Sequence, residues 1–431
     1  LFYRNYLNKF LLNDLKKYYY LKILANKKDV EDSHNLIDIW CQEKPRNAFI
    51  HYIIATTLMF ANIHKSKSFK TRIKRRYIPL KLKTYSIRRV LGYFKKLSIF
   101  IFFKLITSSK LISRLFIFSL KQFLVSNKPL EEIINNEKPD LVLIPTNGFF
   151  SFELDVEHTL HKLNVRYISL IDNWDNISTK TIFQYEADHY GLWGQQNRIH
   201  AQEIQNISPD KTTSLGTPRY EIYKSKDYKK LFTFDYILFV GTSNEFDEFL
   251  VIKILNDILV KKNFDIKIVY RPHPWRESEK YPDLSSLSQV VLDPQIEDHY
   301  NSKSSSNYFQ PDLDYYVDLV GGSRFVIGGL TSMLIEAQLL KKHYISLIHK
   351  EKNFKYSPRE WANGYLHFSE LFLLKNLTLI KNLSELENVI SKFLTNELKF
   401  IDDSFLSYFI EFDEIPYSKK LMKIIDNFKN K

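Results

Sequence analysis

Short apolar runs alternate along this chain with segments whose apolar residues recur at every third or fourth position. The runs at 141–144, 165–171, 189–194, 234–240, 264–270, 325–327 and 343–348 carry few charges. Continuous apolar runs of this length suit strands covered on both faces, as in a parallel sheet. Segments 129–136, 152–163, 199–207, 245–260, 312–319, 332–341, 384–394 and 418–428 read as helices from their spacing. Strand, turn and helix therefore repeat in each half of the chain, which predicts an α/β fold. Upstream the pattern is less regular: 1–28 reads as a helical lead-in, the β-branched run 47–56 as a strand, and 57–64 as a helix. Between the strand-like runs of the second half, 284–294 is a weak strand and 300–309 a Ser- and Asn-rich loop.

The chain's 431 residues exceed what one hydrophobic core usually serves, so two domains are expected. The charged stretch 221–230 is the candidate linker. It divides an N-terminal domain at 1–220 from a second domain at 232–400, followed by a helical tail at 401–431. The net charge of +13 invites an anionic partner: a nucleotide-bearing substrate, a phospholipid surface or nucleic acid. Biased residue usage, with Lys, Asn, Ile, Phe and Tyr all abundant, is the other source of such an excess.

A single cysteine, Cys41, excludes an internal disulfide and suits a reducing compartment. The chain opens Leu1-Phe2-Tyr3-Arg4, without an initiator Met or a signal-peptide layout. It reads as cytoplasmic, and as a fragment or a chain lacking its first residues. No run is long and uncharged enough to span a bilayer; 97–124 is interrupted by Lys104, Lys110, Arg114 and Lys121. With the basic residues from Lys65 to Arg76 upstream, this region predicts either an interfacial helix on an anionic bilayer or an ordinary helix with a solvated Lys face.

Three loops carry candidate chemistry. Gly241-Thr242-Ser243 and Gly328-Gly329-Leu330-Thr331-Ser332 each place small residues between a strand and a helix. There, backbone N–H groups and the Thr331 and Ser332 hydroxyls could reach phosphate oxygens. Tyr270-Arg271-Pro272-His273-Pro274 follows a strand, and its prolines would fix an imidazole able to donate to the same phosphate and stabilise a leaving group. Taken singly, His273 suits a capped turn and Thr331-Ser332 an N-cap. Glu336, one helical turn after Ser332, could accept from ribose hydroxyls or simply be a solvated helix residue. In the first half, Asp172-Asn173-Trp174-Asp175-Asn176 is a polar cluster just beyond a strand, where ligands bind in open α/β sheets; Asx turns and a helix cap are the alternative. His158 and His161 lack the spacing of a helical zinc pair. The chain has no Walker A loop, no G-x-G-x-x-G and no G-x-S-x-G, which removes the usual support for kinase, dinucleotide oxidoreductase and serine hydrolase.

On Phe239-Val240-Gly241-Thr242, Arg271-Pro272-His273-Pro274 and the run from Gly329 to Ala337, the second half resembles the GT-B glycosyltransferases of bacterial surface-polysaccharide synthesis and their relatives, the CDP-glycerol glycerophosphotransferases. Asp172 to Asn176 and Gly216-Thr217-Pro218-Arg219-Tyr220 look like the matching pieces of the first domain, and residues 1–128 match nothing. The resemblance implies two Rossmann-like domains facing across a cleft. It implies a nucleotide-activated sugar donor bound by Gly241, Thr242, Arg271, His273, Gly329, Thr331, Ser332 and Glu336, and an acceptor near Asn173, Trp174 and Asn176. If transfer inverts the anomeric centre, a first-domain carboxylate serves as base, Asp175 before Asp172, with Glu245 the second-domain rival. His273 would balance the leaving group, so neither cofactor nor metal is expected. The acceptor would be a surface polysaccharide or lipid-linked glycan, reached at the inner face of a membrane. CDP-linked polyol-phosphate transfer is the alternative reaction. A basic module binding membrane or nucleic acid is the alternative of another class, and it lacks any RNA-binding signature.

Overall fold

The computed structural model describes residues 6, 9–26, 36–78, 87–225, 227–243, 246–273, 283–301, 313–351, 357–396 and 399–429. Glu245, Pro274 and most of the 300–309 loop lie outside the described residues. The chain forms two Rossmann-like α/β units, one comprising Phe2–Arg219, Tyr365–His367 and Ser407–Lys431, the other Tyr220–Gly364 and Phe368–Leu406.

In the N-terminal unit a parallel pair, β1 (Leu24–Asn26) and β2 (Ile39–Cys41), precedes a four-stranded parallel sheet. Its strands β3 (Val142–Thr146), β4 (Tyr167–Ile171), β5 (His189–Leu192) and β6 (Thr212–Ser214) lie side by side in chain order. Helices α1 (Lys9–Lys16), α2 (Pro45–Ala61), α3 (Lys67–Tyr77), α4 (Ile87–Ile106), α5 (Lys110–Gln122), α6 (Lys128–Glu137), α7 (Ser151–Leu163), α8 (Asn176–Thr179) and α9 (Gln195–Glu203) complete it. Ile144, Ile171, Leu192, Leu160 and Ala201 share one core across β3 to β5, α7 and α9. Burying each such aliphatic side chain contributes roughly 1.5–3 kcal/mol for the larger ones.

The run 47–56 is helix, not strand. Pro45 sits in the first turn of α2, and the helix buries Asn47, Ile50, Ile54, Thr57 and Met59 on several sides. A segment apolar all round is a buried helix if it is long and a buried strand if short; at 17 residues, α2 is long. Its β-branched residues cost only tenths of a kcal/mol each in a helix, roughly, and packing outweighs that.

The C-terminal unit holds β7 (Tyr236–Val240), β8 (Lys267–Arg271), β9 (Val290–Leu292), β10 (Val326–Gly328), β11 (Tyr344–Leu347) and β12 (Leu377–Ile380), with helices α10 (Glu248–Lys261), α11 (Leu313–Gly321), α12 (Met333–Leu339) and α13 (Leu386–Thr395). The Asp247 carboxylate starts α10 by accepting from the Leu250 N–H at 2.9 Å. All pairings are parallel, in the order β12-β11-β10-β7-β8-β9. The chain builds outward from β7 on one side, then returns to β10 and builds outward on the other. Ile237, Phe239, Ile268, Ile327 and Ile345 form the core of this sheet.

Two boundaries differ from the sequence reading. The stretch after Arg219 is not a free linker, because Tyr220 and Tyr223 are buried in the C-terminal unit. Nor do residues 401–431 stand apart. The last helix, α14 (Tyr417–Lys429), packs Tyr417, Leu421 and Ile425 against Leu11, Leu15, Ile168 and Leu170 of the N-terminal unit.

Candidate functional site

Parallel strands in one sheet all end on the same edge, and a ligand crevice opens where neighbouring strands send their connections to opposite faces. In the C-terminal unit that reversal falls between β7 and β10. Register then decides what stands there. Gly328 pairs with Val240, and Val240 with Arg271. The next residues along the edge are therefore Gly329, Gly241 and Pro272. Three loops far apart in the sequence become one row.

Contacts within the row are close enough to require glycine. A Cβ on Gly241 would meet the His273 backbone nitrogen at 2.8 Å, the Pro272 Cα at 3.0 Å and a Glu248 carboxylate oxygen at 2.8 Å. On Gly329 it would meet the Thr242 methyl at 2.7 Å. The Gly241 N–H donates to the Arg271 carbonyl at 2.8 Å, and the Tyr344 hydroxyl to the Gly329 carbonyl at 2.6 Å. Glu248, on the first turn of α10, braces the row from below: its buried carboxylate accepts from the Thr242 N–H at 3.2 Å and the Tyr270 hydroxyl at 2.7 Å. Over this edge lies a small, shallow concavity lined by Thr242, Phe246, Gly329, Leu330, Pro358 and Trp361.

Thr331 and Ser332 follow Gly329 after one intervening residue, Leu330, and are half-buried. Ser332 occupies the N-cap of α12 but its hydroxyl makes no capping bond; its backbone is already helical, at φ −60° and ψ −22°. The N-cap reading of this pair is thereby removed. Among the described residues neither hydroxyl has a protein partner.

Other expected donor residues have different work. Arg271 is 3% exposed and forms a buried ion pair with Asp293, donates to Gln295 Oε1 at 3.1 Å, and lies 4.5 Å from the Tyr316 ring centroid. Its guanidinium is committed within the protein rather than turned to a donor. Glu336 is fully buried, and its carboxylate accepts from the Tyr220 hydroxyl at 3.3 Å and from the Tyr223 hydroxyl. It is neither solvated nor open to a ribose, and it fastens the segment after Arg219 to α12.

The polar cluster of the N-terminal unit is mostly turn and core. The sequential order of β3 to β6 offers no reversal beside β4 among the described strands. Trp174 is 2% exposed, its ring edge-on to His367 at 4.8 Å and to Phe409 at 6.0 Å, so it has no face for an acceptor. Asn176 is equally buried, its amide turned to Asp175 Oδ1 and the Asn173 N–H. The Asn173 side-chain oxygen accepts from the neighbouring Trp174 N–H at 3.0 Å. Asp172 is buried at the end of β4. Asp175 accepts from the Thr179 hydroxyl at 3.0 Å. Burial works to raise the Asp175 carboxyl, but Lys180, His367, Thr179 and Arg72 outweigh it and hold the group below the usual carboxylate range. It is thus an ionised carboxylate and a weak base.

Sequence reading missed Glu248, the Tyr220 and Tyr223 pair, and the floor of the concavity. Glu248 is the first residue of the helix that follows Gly241-Thr242, a position that could have suggested it. A second brace was not legible: buried His349, just past β11, bonds Glu351 Oε1 at 2.8 Å, and Glu351 accepts the Asp247 N–H at 3.3 Å. Among the described residues no group of three His, Cys, Asp or Glu side chains could hold a metal ion.

The fold and this edge define a two-unit α/β protein with a small-residue crevice at the sheet reversal. No family model and no curated protein matches the chain. Among solved structures, it is similar to a Listeria monocytogenes protein provisionally assigned as a UDP-N-acetylglucosamine 2-epimerase, at 13% identity over 70% of this chain and 79% of the other, with a TM-score of 0.47. The lipopolysaccharide outer core galactosyltransferase WaaB gives 13% identity, 70% and 78% coverage and 0.37. The wall teichoic acid polymerase TagF gives 12%, 71% and 86% coverage and 0.36.

Proposed function

We propose that this protein is a glycosyltransferase of GT-B type whose C-terminal unit binds the phosphates of a nucleotide-activated sugar donor. The observation that carries this reading is the convergence of Gly241-Thr242, His273 and Gly329 to Ser332 on one reversed sheet edge. Glycines there let phosphate oxygens approach the backbone. The Thr331 and Ser332 hydroxyls supply donors, and His273 balances charge on the leaving nucleotide without a metal in the scheme. The acceptor in this proposal is a surface-polysaccharide or lipid-linked glycan.

Calorimetric titration with CMP, CDP, UDP and GDP and their sugar conjugates tests it. One of them should bind, and His273→Ala or Ser332→Ala should weaken it about tenfold or more, as expected for hydrogen bonds to a charged group. Because Ser332 caps nothing, Ser332→Ala should leave the melting temperature unchanged. Affinities equal to the parent in both variants would remove the reading. Release of nucleotide with and without sugar transfer then separates glycosyl from polyol-phosphate transfer.

Asp175 is the first candidate for the base, ahead of Asp172, on the ground that it is held ionised and is less completely buried than Asp172. Asp175→Asn should lower turnover about 100-fold or more while nucleotide affinity holds. Near-normal turnover would exclude it.

A further inference from the structure

Charge in this chain is segregated. From Lys44 to Leu130 there are 20 Lys and Arg residues and not one Asp or Glu, leaving 42 basic against 49 acidic residues elsewhere. General residue bias would enrich Lys throughout. A net-acidic remainder shows that the excess belongs to one region. The described residues of that region form α2 to α5 and the start of α6 of the N-terminal unit.

The same region exposes apolar side chains. Of the 24 large hydrophobic residues that are exposed among the described ones, 11 fall between Leu91 and Val125. On α4 they are Leu91, Phe94, Ile101, Phe102 and Leu105, spaced to line one side of the helix. The opposite side carries Phe103, buried with Phe60 and Tyr77, and Ile99 and Phe100 packed beside them. On α5, Leu111, Ile112, Leu115 and Phe118 are exposed, Leu111 by 66%. The helix pair thus shows apolar surface outward as well as inward. Lys95, Lys96, Lys104, Lys110 and Arg114 are exposed among these residues, and none pairs with a carboxylate among the described residues.

We infer that the α4–α5 hairpin is a docking face for the surface of an anionic lipid bilayer. Exposed Leu and Phe enter the boundary between headgroups and acyl chains, while Lys and Arg, whose long stems reach outward, meet anionic headgroups. No described helix is long and apolar enough to cross a membrane, so the helices lie along the surface. Nucleic acid would satisfy the cations but leave the outward Leu and Phe in water. A second copy would bring like charge against like, which a patch of this sign opposes. An anionic bilayer answers both features together.

Flotation of the full chain with phosphatidylcholine vesicles, with and without phosphatidylglycerol, tests the inference. The chain should partition about tenfold or more in favour of the anionic vesicles, and added salt should weaken it. Two variants at exposed positions, Phe94→Ser/Leu105→Ser/Leu115→Ser and Lys95→Gln/Lys96→Gln/Arg114→Gln, should each lose that partitioning with melting temperatures unchanged. The inference falls if the parent does not float, binds neutral vesicles equally, or is matched by either variant. It also falls if the triple-Ser change instead splits a dimer on size exclusion, or if the parent prefers DNA to vesicles and the triple-Ser variant keeps that preference. No nucleotide enters this experiment, so its outcome is separate from that of donor binding.

Discussion

Arg271→Met should cost the C-terminal unit about 3–5 kcal/mol, because it leaves the Asp293 carboxylate buried without its cation. Asp293 is fully buried, and its remaining partners are the Tyr315 hydroxyl and the Gln295 N–H. They are dipoles, and removing one member of a buried pair exposes the full desolvation cost of the other. Arg271→Met/Asp293→Leu, which removes both charges, should regain much of the loss. Urea denaturation measures each value. If Arg271 were instead a donor contact, Arg271→Met would weaken nucleotide binding at nearly unchanged stability. That outcome would overturn the structural role given to it here.

The second large effect runs the other way. Glu157, on α7, is 3% exposed and has no hydrogen-bond partner among the described residues. Burial pushes its carboxyl up to about 8, against a smaller opposing pull from Lys121. An acid whose value is raised on folding favours the folded state least when it must ionise. Its contribution is whole below the unfolded value of about 4.5 and is lost as pH rises towards 8. At pH 7 the penalty is on the order of 3 kcal/mol. Glu157→Gln keeps the shape and cannot ionise, so it should stabilise the protein by that order at pH 7 and by little near pH 4. Melting curves of parent and variant across this range should converge at low pH and separate as pH rises. Parallel curves would mean that Glu157 is already satisfied or already ionised.

Both cases show what a single residue letter leaves out. Arg271 ends a strand just before a Pro-His-Pro loop, and the resemblance placed it among the donor-binding residues. Its actual partner, Asp293, follows a different strand and becomes adjacent only through the β8–β9 pairing. Trp174 looked like a ligand platform beside two carboxylates, yet His367 and Phe409 enclose it from far along the chain. Glu336 was placed correctly on its helix, but the hydroxyls that hold it belong to the segment expected to be a linker. In each case the local pattern named the residue and a long-range contact chose its work.

The run 47–56 failed for a different reason. Ile and Thr weaken a helix only slightly, and a helix buried on several sides has no continuous polar side to give it a period. Length is the one available discriminator, and the helix runs unbroken for 17 residues, from Pro45 to Ala61.

The sequence by itself determined the α/β class and most strands of both sheets. Continuous apolar runs closed by glycine turns leave little other choice. It also determined that small residues, a histidine and two hydroxyls would follow three of those strands. Only the tertiary structure decided that β7, β8 and β10 are neighbours, that the chain reverses between β7 and β10, and that Gly329, Gly241 and Pro272 share one edge. The reason is that strand order and register come from side chains meeting across the sheet, between residues far apart in the chain. A local hydrophobic pattern encodes that a strand exists, and its partners are set by the whole core.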